Sequence, residues 1–311
     1  MRLIDALGVG SGGVVVLDGG LSTELERAGV DTGGALWTAA PLLVGDGSVE
    51  RAHEAFASAG AEVVVTASYQ LGVDWLEDRG IDSNAARDLL IESTRAARRG
   101  VAGAALVAAS VGPFGAGRAD GSEYTGDYRD RFDEVRRHHR AKIAVLLESA
   151  PDLLAVETIP LADELEIVIE ILDEFGSPPA WFSVACRDDA TTHGGDPLER
   201  VGALLAGRRG PTAVGVNCTA PEHSSTALRR IADSLGPSGR DLVDLVAYPN
   251  IGRRWDPSTR KWRSPARPFD ETVLENLARV GATFVGGCCG TDSADVARVR
   301  AWRDRRVVSP T

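Results

Sequence analysis

Lysine is almost missing from this chain. Of 34 basic residues only Lys142 and Lys261 are lysines, and the rest are arginine. A Schiff-base enzyme needs a lysine at its reaction centre. Lys142 falls in a helical pattern and Lys261 in a polar loop, which makes both poor candidates. Cysteine is also scarce, four in 311 residues. No apolar run is long enough to span a bilayer, and the opening MRLIDALGVGSGG has no signal-peptide core. The expectation is a cytoplasmic protein with no membrane partner, where cysteines serve metals or catalysis more often than disulfides. A net charge of −11 argues against a nucleic-acid partner and weakly favours a cationic ligand. Walker A, GxSxG and HExxH motifs are absent. GVGSGG at 8–13 spells G-x-G-x-x-G, but it precedes the first strand instead of following one, so no dinucleotide site is expected there. The five histidines form no ligand-spaced pair, and the adjacent His138 and His139 read as solvated helix surface.

What the chain does have is a rhythm of short runs rich in valine and alanine. They are VVVLD (14–18), VVVTA (63–67), ALVAAS (105–110), DLLAVET (152–158), WFSVAC (181–186), AVGVNC (213–218), LVDLVAY (242–248) and ATFVGG (282–287). Helical patterns separate them. Runs that are apolar throughout, with no alternation, suit strands of a parallel sheet covered on both faces. Eight β-α units suggest an α/β fold of the (β/α)8 TIM-barrel type, a single domain over 1–311, with an open doubly wound sheet as the runner-up. Thr23-x-x-Glu26 reads as a capping box, and Asp196 as an N-cap before Pro197 with Glu199 completing it. Extra length falls in two loops, 112–128 and 252–270, on the C-terminal side of their strands, where barrel active sites form.

Cys218 ends the sixth run, and Cys288 and Cys289 end the eighth, so a barrel would place all three on one rim. Adjacent residues of a regular strand point to opposite faces. Gly286, Gly287 and Gly290 would free the backbone to turn both sulfurs inward. Three thiolates leave the fourth position of a tetrahedral zinc open, the pattern of a catalytic site. Such an electron-rich zinc is a weak Lewis acid towards water, but it can hold an incoming thiol as thiolate. The chemistry points to alkyl transfer onto a thiol. Buried structural cysteine, a vicinal disulfide and a redox pair remain alternatives. Cys186, at the end of the fifth run, reads as a small apolar residue or at most a neighbour of the site.

The segments GVNC (215–218), GGCCGT (286–291) and DGGLSTEL (18–25) resemble the homocysteine S-methyltransferase family, of the type that uses S-methylmethionine. Further similar stretches, LWTAAPLL (36–43), VTASYQ (65–70), SVGPFGAGRADGSEYTGDY (110–128) and YPNIG (248–252), run in family order along nearly the whole chain. The resemblance implies a barrel in which Cys218, Cys288 and Cys289 bind Zn2+ and homocysteine sulfur takes the open position. It implies that Asp18 and Glu157 hold the amino group, that Ala67, Ser68 and Tyr69 complete the amino-acid pocket, and that Trp37 faces a cationic methyl donor. Arg118, Asp120, Glu123 and Asp127 are candidates for the donor's own charges, and Trp255 and Trp262 for a lid. The expected partners are homocysteine and a sulfonium donor, S-methylmethionine before S-adenosylmethionine. Oligomeric state is not legible, with a monomer slightly favoured. Competing functions are a dithiol oxidoreductase using Cys288 and Cys289, and a non-catalytic zinc barrel closed by a fourth ligand such as Tyr69 or Asn217.

Overall fold

Each apolar run becomes a strand: β1 Val15–Val16, β2 Val63–Val65, β3 Leu106–Val111, β4 Leu153–Ile159, β5 Ala180–Val184, β6 Thr212–Asn217 and β7 Val243–Tyr248. A hairpin, β8 Arg254–Asp256 and β9 Lys261–Arg263, precedes β10 Phe284–Val285. The computed structural model describes residues 1–9, 13–34, 36–118, 120–252, 254–256, 261–263 and 270–308. The middle of GVGSGG, most of the loop 252–270, and the side chains of Trp255 and Trp262 lie outside the described residues.

Eight parallel strands form one sheet in the order β1-β10-β7-β6-β5-β4-β3-β2. A parallel bridge between Leu17 and Val63 joins the two ends. Around it, Glu62 N–H donates to Val16 O at 2.7 Å and Asp18 N–H to Val63 O at 3.1 Å. The result is a (β/α)8 barrel in a single domain. No helix among the described residues is long and apolar enough to cross a membrane.

The period of two sorts each apolar run between two cores. Val15, Leu17, Val63, Ala155, Trp181, Val246 and Phe284 fill the barrel interior. Val16, Val64, Val107, Val156, Val214 and their neighbours face the helices. Trp181 is fully buried at the barrel centre, and its indole N–H donates to Tyr248 Oη at 2.9 Å, which satisfies its one polar atom. At the N-terminal end, Leu3 joins the interior cluster, and Asp244 holds the entering chain through Ile4 N at 2.9 Å and Arg2 Nε at 2.8 Å.

Three local expectations are corrected. The first and last barrel strands are only two residues long; the chain leaves the sheet at Asp18 and Gly286, where it enters the rim. Thr23 lies inside the helix Leu21–Arg27, whose N-cap is Gly20, and its Oγ1 accepts Gly290 N–H at 2.9 Å. Asp196 does not cap its own helix, which starts after Pro197; its Oδ2 accepts Ala162 N–H at 2.8 Å, at the start of the preceding helix. Both motifs were diverted from local capping into contacts between segments far apart in sequence.

His138 and His139 are not solvated surface: both are buried on the helix Phe132–Glu148. His138 Nδ1 meets Asp74 Oδ1 at 2.7 Å and His139 Nε2 meets Glu164 Oε1 at 2.8 Å. This helix packs against elements on two sides, so two neighbouring positions, about 100° apart, are both covered.

His53 is fully buried, and neither ring nitrogen has a partner among the described residues. Burial pushes its pKa down to about 4. The unfolded chain therefore takes up the proton first, and stability falls as pH drops from about 6.5 towards 4, at up to about 1.4 kcal/mol per unit. Urea unfolding at pH 6.5 and 4.5 should show His53→Leu gaining on the wild type as the pH is lowered. A constant difference between the two proteins would contradict this.

Candidate functional site

The C-terminal rim gathers residues from most of the barrel strands. Cys218 follows β6 with φ at 46°, and Thr158 sits near the end of β4, where its pairing with β5 is irregular, with φ at 62°. Non-glycine residues hold such conformations only when their surroundings enforce them. Asn217 supplies that constraint, accepting Thr158 N–H at 2.7 Å and donating to Thr158 Oγ1 at 2.8 Å. The clamp fixes the direction of Glu157 and of Cys218 together. It also occupies both ends of the Asn217 amide.

The loop after β10 carries Cys288 and Cys289. Cys288 N–H donates to Pro249 O at 2.9 Å and Gly287 N–H to Asp18 O at 3.0 Å, tying the loop to both neighbouring strands. Gly287 is required for space: a Cβ there would fall 2.2 Å from Thr291 Oγ1. Gly290 is required for conformation, with φ at +87°. Of the glycines expected to free this backbone, Gly290 alone is in the left-handed region.

The three cysteine Sγ atoms lie within 4.8 Å of one another. Cys218 and Cys289 are 3.7 Å apart, sulfur to sulfur. Tetrahedral zinc with bonds of about 2.3 Å has ligand edges of about 3.8 Å, so the spacing suits such an ion. The electrostatics agree. Hydrogen bonding with Cys288 and Cys289 pulls the Cys218 thiol well below its ordinary range. The same contacts with Cys218 push Cys288 and Cys289 well above theirs. Three bare thiols can share one negative charge, and a cation is what would let all three ionise. Tyr124 Oη and Asn250 Nδ2 each lie 3.9 Å from Cys218 Sγ. All four cysteines are free, and Cys186 is buried apart from the cluster, its thiol pushed up to about 12 by burial.

A cavity of about 730 Å³ opens above the sulfurs. Of the residues expected in the site, Asp18, Trp37, Tyr69, Glu157 and the three cysteines line it. Ala67 and Ser68 sit behind the wall, fully covered. Ser68 Oγ donates to Ser110 O at 2.8 Å, bracing the turn that carries Tyr69. Lys142, fully buried, also braces this turn: its Nζ donates to Tyr69 O at 2.8 Å, and burial lowers its pKa to about 7. Trp37 meets Tyr69 edge-on, with ring centroids 5.8 Å apart.

Two carboxylates face the cavity from opposite sides of the β1–β4 arc. Asp18 Oδ2 accepts Val65 N–H at 2.7 Å, and burial raises its pKa well above the usual range. Glu157 accepts Ser110 Oγ–H at one oxygen and Tyr248 Oη–H at 3.2 Å at the other. Burial still pushes its pKa up to about 7. Among the described residues neither carboxylate forms a salt bridge, although the buried Lys142 attracts Glu157 from beyond that range, so each can still receive a cation from outside.

Sequence reading missed Tyr248, Tyr124 and Asn250. Tyr248 closes β7 and touches Glu157, Trp181 and Ser183, a role that exists only once three strands are neighbours. The signal available was their place in YPN and SEYTG at strand or loop ends. Among the loop candidates, Arg118 pairs with Asp120 and Asp127 is exposed, whereas Glu123 lines the cavity.

Comparison with known proteins follows this geometry. A family model described as homocysteine S-methyltransferase matches residues 15–302. The homocysteine S-methyltransferase of Escherichia coli strain K12 is 36% identical, covering 93% of this chain and 94% of that protein. A selenocysteine Se-methyltransferase of Brassica oleracea var. italica is 32% identical, covering 96% and 90%. A crystal structure of the E. coli homocysteine methyltransferase in a metallated form superimposes with a TM-score of 0.79 at 35% identity, over 93% of this chain and 96% of that one.

Proposed function

Because this chain belongs to the homocysteine S-methyltransferase family, we propose that it transfers a methyl group from a sulfonium donor to the sulfur of homocysteine, giving methionine. S-Methylmethionine is the first choice of donor and S-adenosylmethionine the second. The observation that carries this reading is the cluster of three sulfurs within 4.8 Å on the floor of a cavity with two buried carboxylates on its wall.

Cys218, Cys288 and Cys289 would hold Zn2+, which when bound keeps an incoming thiol ionised and nucleophilic at neutral pH. Asp18 and Glu157 take the α-ammonium group of homocysteine. Ser110 and Tyr248 fix the Glu157 carboxylate in place, so its orientation costs nothing at binding. The homocysteine thiolate attacks the donor methyl carbon in line. A C–S bond forms on one side, the donor C–S bond breaks on the other, and the donor leaves as a neutral thioether. No proton moves in this step, which accords with the absence of histidine among the described residues that line the cavity. Thiolate and sulfonium neutralise each other, so a water-poor cavity favours the transition state over the separated ions. Holding the two reactants in line can supply up to ~7–11 kcal/mol.

A selenol acceptor is the second reading, favoured by the Brassica relative named for selenocysteine methylation. The test is methionine formation from homocysteine with S-methylmethionine, S-adenosylmethionine and betaine, alongside metal analysis. Transfer from a sulfonium donor with stoichiometric zinc supports the reading. Turnover that depends on a Cys288–Cys289 disulfide, without zinc, would replace it with the oxidoreductase.

A further inference from the structure

The cavity's charge is one-sided. Among the described residues lining it there is no lysine, arginine or histidine, while Asp18, Glu26, Asp31, Glu123 and Glu157 all contribute. Two of these are already engaged away from a ligand: Glu26 accepts Thr32 Oγ1–H at 2.6 Å, and Asp31 is exposed and accepts Gly33 N–H at 2.9 Å. Asp18 and Glu157 are assigned above to the acceptor. That leaves Glu123.

Glu123 is 8% exposed, and its Oε2 is buried with no hydrogen-bond partner among the described residues. A buried carboxylate oxygen without a partner is costly, and a native chain keeps one where a ligand completes it. Its backbone is fixed by close packing, since a Cβ on Gly115 would fall 2.4 Å from Glu123 N. The next residue, Tyr124, reaches Cys218 with its hydroxyl. The loop therefore presents a carboxylate beside the approach to the sulfur cluster. Trp37 and Tyr69 supply aromatic surface in the same cavity, and a sulfonium is attracted to such faces. Burial pushes the Glu123 pKa up to about 7, as expected for a carboxylate that lacks its counter-charge.

We propose that Glu123 receives the α-ammonium group of the methyl donor, making the site selective for sulfonium amino acids over methyl donors that lack an amino group. The inference rests on the functional reading above and names the donor class for it. Homocysteine is held by its own pair of carboxylates. The donor brings a second ammonium and a sulfonium, and the third buried carboxylate answers its net positive charge.

The test compares two donors, S-methylmethionine and dimethylsulfoniopropionate, which has the sulfonium but no ammonium. Glu123→Gln should lower kcat/KM for S-methylmethionine by about 30-fold or more, the lower end for unpairing a buried charge. The kcat/KM for dimethylsulfoniopropionate and the KM for homocysteine should stay within about twofold, which also shows that the variant is folded. Glu123→Asp should recover part of the loss. An unchanged ratio between the two donors overturns the proposal, and so does a loss that falls on homocysteine. A wild-type enzyme that transfers methyl from no sulfonium donor overturns the functional reading and takes this proposal with it; an active wild type with an indifferent Glu123 overturns the proposal alone.

Discussion

Cys218→Ser is expected to strip the protein of its metal and of methionine formation together, with the barrel intact. Losing a partner of a metal ligand typically costs about 10- to 100-fold in affinity or activity, and losing one of only three ligands should exceed that. The cluster has no spare: among the described residues no fourth cysteine, histidine or carboxylate joins it. Cys186 cannot substitute, being buried apart from the site with a thiol pushed up to about 12. Zinc content by atomic absorption, methionine formation and far-UV circular dichroism check the outcome. Full zinc in Cys218→Ser would show that the three sulfurs are not the metal's ligands. Cys186→Ser should retain both metal and activity.

Glu157→Gln carries the second-largest expected effect, on the acceptor. Removing the charge that faces a buried ammonium costs about 2–5 kcal/mol, which is a loss of about 30-fold to several thousand-fold in kcat/KM for homocysteine. Bound zinc should be unaffected, because Glu157 is no part of the sulfur cluster. The pH profile gives a further check. Glu157 has its pKa pushed up to about 7 by burial, and it must be ionised to receive an ammonium. The wild-type kcat/KM for homocysteine should therefore fall as pH drops below about 7, since this parameter reports the free enzyme. In Glu157→Gln that acid limb should flatten. A variant with an unchanged KM for homocysteine would remove Glu157 from the acceptor site.

The barrel was legible because valine and alanine runs without alternation suit strands covered on both faces, and eight of them recur with helices between. The sulfur cluster was legible for a related reason. Cys218 and the pair Cys288–Cys289 stand at strand ends, and a barrel turns equal positions on non-adjacent strands into neighbours. What escaped depends on contacts that no local pattern encodes. Thr23 and Asp196 have the local signature of helix caps, yet both serve distant backbone N–H groups. His138 and His139 were misread because a helix wedged between others has no single wet face. Tyr248 became a site residue only through its reach across the barrel to Glu157. Ala67 and Ser68 show the opposite limit. The motif pointed to a turn that borders the cavity, but only the coordinates separate Tyr69 on the cavity wall from Ala67 and Ser68 buried behind it.

The central claim is that Cys218, Cys288 and Cys289 bind one zinc ion and leave it a vacancy for a thiol. X-ray absorption at the zinc K-edge tests it most directly, on the reduced protein before and after adding homocysteine. The account predicts three sulfur neighbours at about 2.3 Å with one lighter atom, changing to four sulfurs when homocysteine is present. Four protein ligands that stay the same on addition, or a reduced, zinc-supplied protein that holds no zinc, would contradict it.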